Sequence, residues 1–343
     1  MKFFYSLIFV LLSLVAHGQF GKKSMPKIET YEYDTNYIES FNSKLALRLE
    51  MPKRIEQFSL KNTIDGNKYQ YKSNERYGIG VGFTYKSLVI GTTLNPDFAQ
   101  RDIDRFGKTK ELNLKGGLYL KRQVIDGYFR RYKGFYVANP SNYFPEWNSG
   151  LPYPQRSDIR TIGWGINYTV PFNWKKYSPK VIFVLDGKLK KSVGSFISVT
   201  SLYFYKLKAD SSIVDVSFDA SAQIDRFNIA LLGQLFGYYY TFVYKNFYAS
   251  ISALPGITIP VGAIYNQNGK EHPQFAANFK MMTRSGVGYN SPKWYVGAYF
   301  IFDNNKITLP SNLVLGNTLG EFRLFIGYRI KAPTMVERVM GKL

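Results

Sequence analysis

The stretch Ile79-Gly80-Val81-Gly82-Phe83-Thr84-Tyr85 decides the fold. Apolar side chains alternate with glycine and threonine. Successive residues therefore point to opposite sides, the pattern of an extended strand with one greasy face. The same alternation recurs on either side along the chain. Across residues 111–121, Leu112, Leu114, Leu118 and Leu120 fall on one face, with Asn113, Lys115, Tyr119 and Lys121 on the other. Ile162, Trp164, Ile166, Tyr168 and Val170 alternate with Gly163, Gly165, Asn167 and Thr169. Near the carboxyl end, Phe322, Leu324, Ile326, Tyr328 and Ile330 alternate with Arg323, Phe325, Gly327 and Arg329. Segments of about ten residues match the length a tilted strand needs to cross lipid.

Further strands are predicted near residues 58–64, 88–94, 124–131, 181–186, 196–207, 228–244, 247–256, 275–283 and 294–303. Turn-type clusters separate them: Asp65-Gly66-Asn67, Asn95-Pro96-Asp97, Asp186-Gly187, Asn268-Gly269 and Asp303-Asn304-Asn305. Residues 139–157 carry four prolines and several aromatics, which predicts a long loop on the outer face. The expected fold is all-β: a single antiparallel transmembrane β-barrel of about 10–14 strands.

Period two does not by itself distinguish an apolar exterior from an apolar core. The alternative is a soluble secreted β-sandwich or lipocalin-like binding protein with its greasy faces inward. The polar faces favour the membrane, being rich in Gly, Ser, Thr, Asn, Lys and Arg. Tyr, Phe and Trp also gather near segment ends, as in interfacial girdles. The chain has 28 Tyr and 27 Phe, and no Cys to staple a small secreted fold.

The amino end reads as an export signal. Lys2 precedes the apolar run Phe3 to Val15, and Ala16-His17-Gly18 offers small residues for cleavage before Gln19. The run is short for a bilayer-spanning helix, which takes roughly 20 apolar residues. The expected organisation is a signal peptide (1–18), an amino-terminal extension (19–42) whose first part is a candidate plug, the barrel (43–331) and a tail (332–343).

Several segments resemble a known family. Tyr33-Asp34-Thr35-Asn36-Tyr37-Ile38, Tyr77 to Lys86, Gly107-Lys108-Thr109-Lys110, Ser157-Asp158-Ile159-Arg160, Lys191 to Phe196, Lys208 to Ser212 and Gly320 to Phe325 occur in the order of signatures in the domain-of-unknown-function family 4421. Those are exported proteins typical of Bacteroidetes. The resemblance implies an outer-membrane-type β-barrel of unassigned activity, and it carries over no catalytic residue. The tail from Lys331 to Leu343 departs from barrels that end on an aromatic residue of the last strand.

The formal net charge is +21. No nucleic-acid module is visible. If the apolar faces meet lipid, Lys115, Lys121, Arg160, Lys206, Arg323 and Arg329 are expected to point into the lumen, which would favour anionic solutes. Basic loops would meet the phosphates of outer-membrane lipid and glycolipid. Asp126, near Arg130 and Arg131, and Asp158, between Arg156 and Arg160, are expected to form structural ion pairs. His272 is the only histidine after the signal, and a lipid-modifying hydrolase would need it as a base. No serine is placed beside it by the sequence, so the expectation is a non-enzyme. One histidine and no cysteine predict no metal site, and Arg101 and Arg105 among Asp97, Asp102 and Asp104 argue against calcium. Gly78, Gly80 and Gly82 lie within a strand and form no phosphate loop, and no cofactor is expected.

Overall fold

In the computed structural model, which describes residues 33–75, 77–214, 223–266, 269–273, 275–309, 312–334 and 336–337, the alternation becomes a closed ring. The expected signal peptide lies outside the described residues. In chain order the strands are β1 (Ile38–Ser40), β2 (Lys44–Asn62), β3 (Lys68–Lys72), β4 (Ile79–Tyr85), β5 (Leu88–Leu94), β6 (Lys110–Tyr119), β7 (Val124–Val137) and β8 (Gln155–Pro171). They continue with β9 (Gly187–Leu189), β10 (Val193–Lys208), β11 (Arg226–Tyr244), β12 (Phe247–Asn266), β13 (Gly269–Glu271), β14 (Asn278–Asn290), β15 (Trp294–Thr308) and β16 (Leu313–Lys331). Twelve of these form the ring β2-β4-β5-β6-β7-β8-β10-β11-β12-β14-β15-β16, closed by β16 pairing back to β2 from Leu313↔Asn62 to Lys331↔Lys44. Closure leaves the ring itself without an end strand, so the backbone polar groups of its wall can pair away from water.

The greasy faces point outward. Leu112, Ile166 and Leu324 are exposed, whereas Asn167 and Arg323 are buried. Along β8 the outward positions run Arg160, Ile162, Trp164, Ile166, Tyr168 and Val170, a charge followed by an apolar band. In water such a surface would be a large exposed apolar patch. In lipid it is the normal solvent contact, and the chain is an outer-membrane-type β-barrel.

The two ends of the ring differ. Connections at residues 86–87, 120–123, 245–246 and 291–293 are short and share one end with both termini of the ring. Those at 95–109, 138–154 and 209–225 are long and share the other. The predicted proline-rich loop is the second of these.

Inside, the inward positions form layers. Reading β16 from the long-loop end, Leu313, Leu315 and Leu319 give way to Glu321 and Arg323, then Phe325 and Arg329. On β2, Leu60 and Phe58 are followed by Arg54, Glu50 and Arg48. An apolar layer thus crosses the lumen at the long-loop end, where Phe58, Tyr132, Tyr205, Phe227 and Leu315 pack together with Ile213 of the β10–β11 connection. Below it lies a charged middle layer.

Residues 172–192 enter from the short-turn end and fold back into the lumen. Residues 181–186 were expected to be a strand, but Lys180–Val184 form one π-helical turn, and Leu185 adopts a left-handed conformation with φ 62°. The misreading has a physical cause. Val181, Ile182, Val184 and Leu185 are all buried inside the barrel, so the run is apolar without alternation and looks like a buried strand. β9 then pairs with β1, Ile38↔Leu189 to Ser40↔Gly187. The insert therefore comes from mid-chain, and the described end of the predicted extension packs against it. A second correction concerns Asp303-Asn304-Asn305, expected as a turn. It lies within β15, because Asp303 and Asn305 are lumen-facing partners of Lys280.

Candidate functional site

The middle layer is a network of buried charge built from strands far apart in sequence. Arg48 Nε lies 2.7 Å from Glu50 Oε1, and Glu50 also receives Lys115 and, at 3.5 Å, Arg323. Arg54 bonds Glu321 at 2.8 Å and also Glu111. Arg323 pairs with Glu321 as well. Across the lumen, Arg284 reaches Asp126 at 3.3 Å. Lys280, fully buried, donates to Asp303 Oδ1 at 2.6 Å and Asn305 Oδ1 at 2.8 Å, beneath the ring of Tyr203. Glycines make room for this network. A Cβ on Gly91 would stand 2.7 Å from Lys115 Cε, and one on Gly82 would stand 3.3 Å from Arg48 Nε.

The network borders a cavity of about 160 Å³. Its lining carries Arg48, Lys115, Arg130, Arg284 and Arg323 against Asp126, Asp303 and Glu321, while Phe183 and Val184 of the insert form part of its boundary. Arg48 Nη1, Asn113 Nδ2, Arg284 Nε and Arg323 Nε are buried N–H groups with no hydrogen-bond partner among the described residues. Leaving such groups unmet costs about 1–3 kcal/mol each, so they favour an acceptor in the cavity.

The insert is held by its own carbonyls. Tyr299 Oη donates to Ile182 O at 2.6 Å, Asn290 Nδ2 to Gly187 O at 2.8 Å, and Arg329 to Leu185 O. Arg329 also bonds Ser291 O and Asn290 Oδ1, with its guanidinium between the rings of Phe41 and Tyr295. Lys180 and Asp186 pair within the insert at 2.5 Å.

Of the basic residues expected in the lumen, Lys115, Arg323 and Arg329 are there. Lys121 is not: it sits exposed in the turn after β6. Arg160 and Lys206 point outward at the long-loop end, where β8 and β10 have left the apolar band. Parity depends on where a strand starts, and near its ends the polar side is no longer only the lumen side. The sequence reading also missed Arg48, Glu50, Arg54, Glu111, Lys280, Arg284 and Glu321. Glu321 shares the polar face of Arg323, a signal that was available. Asp126 is paired as expected, with Arg284 as partner, and Arg156 grips Asp158 at 2.8 and 2.9 Å. His272 is exposed, with Nδ1 2.5 Å from Gly262 O. Asp102 caps a short helix by accepting from Arg105 N, and Asp97 pairs with Lys108.

The profile of the domain of unknown function DUF4421 matches residues 32–330, nearly all of the described chain. The chain belongs to the DUF4421 family. No curated protein sequence matches this DUF4421 chain. Solved structures similar to it include the outer-membrane protease OmpT of Escherichia coli, at 9% identity and TM-score 0.39, covering 84% of this chain and 97% of that one. The translocator domain of the autotransporter NalP of Neisseria meningitidis is similar at 12% identity and TM-score 0.41, covering 84% and 88%. The beta domain of the Bordetella autotransporter BrkA is similar at 10% and 0.38, covering 83% and 99%.

Proposed function

We propose that this DUF4421 protein resides in the outer membrane and docks small anionic solutes in its mid-lumen chamber, without catalysing covalent chemistry. The observation that carries this reading is the set of N–H groups on Arg48, Asn113, Arg284 and Arg323, unbonded among the described residues, around one lumenal cavity. The lining cations outnumber the carboxylates, although Glu50 behind them offsets part of the excess. The apolar layer above and the insert below favour a closed resting state over a steady open pore.

The test uses inorganic phosphate and succinate as probes on the protein folded in detergent, together with planar-bilayer recording. Either anion should raise the melting temperature, and Arg284→Gln should abolish that rise. The unaltered barrel should show little steady conductance, and openings that do occur should prefer anions. A large, permanently open conductance or a preference for cations contradicts the reading. His272→Ala should leave any phospholipid turnover unchanged.

A further inference from the structure

On the lipid side of the barrel, near the short-turn end, the apolar band is hollowed into a groove of about 730 Å³. The hollow arises where outward positions are small: Ala249 on β12 and Ala298 on β15 form its floor, on either side of Val287 of the intervening β14. Phe242, Phe247 and Leu324, all exposed, form its sides. An empty slot in such a band leaves apolar surface without close contact, which an aliphatic chain would supply.

The mouth of the groove carries basic side chains. The turns Lys245-Asn246 and 291–293 lie side by side, joined by Asn290 N donating to Asn246 O at 2.8 Å. Each carries an exposed lysine, Lys245 and Lys293. Ser192, which lines the groove, accepts from Val243 N at 2.9 Å, so exposed Lys191 comes to the same rim. None of the three lysines is in a salt bridge among the described residues. Tyr289 and Trp294, ring centroids 5.1 Å apart, stand at the level where aromatic side chains mark the membrane–water interface.

An apolar slot that opens onto a cationic rim at the interface has the chemistry of one ligand class. We propose that the groove is a specific site for an anionic phospholipid, with one acyl chain along Ala249 and Ala298 and its phosphate held by Lys245, Lys293 and Lys191. Acyl burial supplies affinity roughly in proportion to chain length, and the lysines select negative headgroups over zwitterionic ones.

The experiment purifies the whole protein from vesicles of phosphatidylglycerol and phosphatidylcholine in equal amounts, and counts retained lipid by native mass spectrometry. The expected result is a one-to-one complex enriched in phosphatidylglycerol. Lys245→Asn with Lys293→Gln should weaken retention roughly thirtyfold. Asn suits the left-handed φ of 55° at position 245, so that turn is preserved. Ala298→Phe, which fills the groove, should remove the complex while the lysines remain. Folding of each variant is checked by heat-modifiable gel mobility. Three results would overturn the proposal: equal retention of both lipids, retention unchanged by Ala298→Phe, or competition by free inorganic phosphate at low millimolar levels. Loss of a cross-linked dimer on Ala298→Phe would instead assign the groove to a second copy of the chain, and would also overturn it.

Discussion

Replacing Arg329 with alanine should release the lumenal insert, and the size of the effect can be worked from its contacts. The guanidinium donates to Ser291 O at 2.5 Å, to Asn290 Oδ1 at 2.8 Å and to Leu185 O. Hydrogen bonds from a charged donor contribute about 1.5–3 kcal/mol each. The Phe41 and Tyr295 rings, 4.6 and 4.4 Å from the guanidinium carbon, add roughly 0.5–1 kcal/mol each. The gross loss at the lower bounds is about 5–6 kcal/mol. Only part of it falls on docking, because Ser291 and Asn290 belong to the wall and water can enter from the nearby rim. The bond to Leu185 O and the Phe41 ring leave a docking loss of about 2 kcal/mol, which raises the undocked fraction roughly thirtyfold. Planar-bilayer recording reads this directly as more frequent openings. Arg329→Lys keeps the charge but not the planar fork, and should fall between the two. If Arg329→Ala opens no more often than the unaltered protein and melts at the same temperature, the insert is not held as described.

Other outcomes follow from the same structure. Lys280→Met strands Asp303 in the buried layer and should cost about 3–5 kcal/mol in denaturant titration, while adding Asp303→Leu should return much of it. Leu324→Lys places a cation in the apolar band and should cost about 2–4 kcal/mol of folding in lipid, whereas Lys206→Gln, outside the band, should change little. Beyond the band, the bidentate hydrogen bond from Arg156 holds the Asp158 carboxyl down to about 2. Because the folded value is depressed, its stabilisation is present above pH 4 or so and disappears as pH falls toward 2. After allowance for solvent screening the loss should be about 1 kcal/mol, absent in Asp158→Asn, measured by acid titration of melting temperature.

The strands were legible because lipid imposes a strict demand on every second residue. Ile79 to Tyr85 and Phe322 to Ile330 have no other way to satisfy both lipid and lumen. Legibility failed where that demand stops. Val181 to Leu185 is buried inside the barrel instead of lying in its wall, and its run of apolar residues imitated a buried strand. Asp303 and Asn305 are turn-forming residue types used instead as partners of a buried lysine. Arg160 and Lys206 show that polarity outside the apolar band no longer reports direction. The chamber itself was only partly visible. Lys115 and Arg323 sit on clear polar faces, but that Glu50 joins them is a property of ring closure, which brings β2, β6 and β16 to one level and cannot be read from any local window.

The absence of cysteine allows the orientation of the strands to be measured one residue at a time. Single cysteines at positions 166, 324 and 112, then at 167 and 323, are spin-labelled after folding into lipid vesicles. The first three should relax with oxygen dissolved in the bilayer and resist a water-soluble nickel chelate, while the labels at 167 and 323 should lose the oxygen response. Strong chelate access at 166, 324 and 112, with oxygen access at 167 and 323, would mean that the apolar faces do not meet lipid.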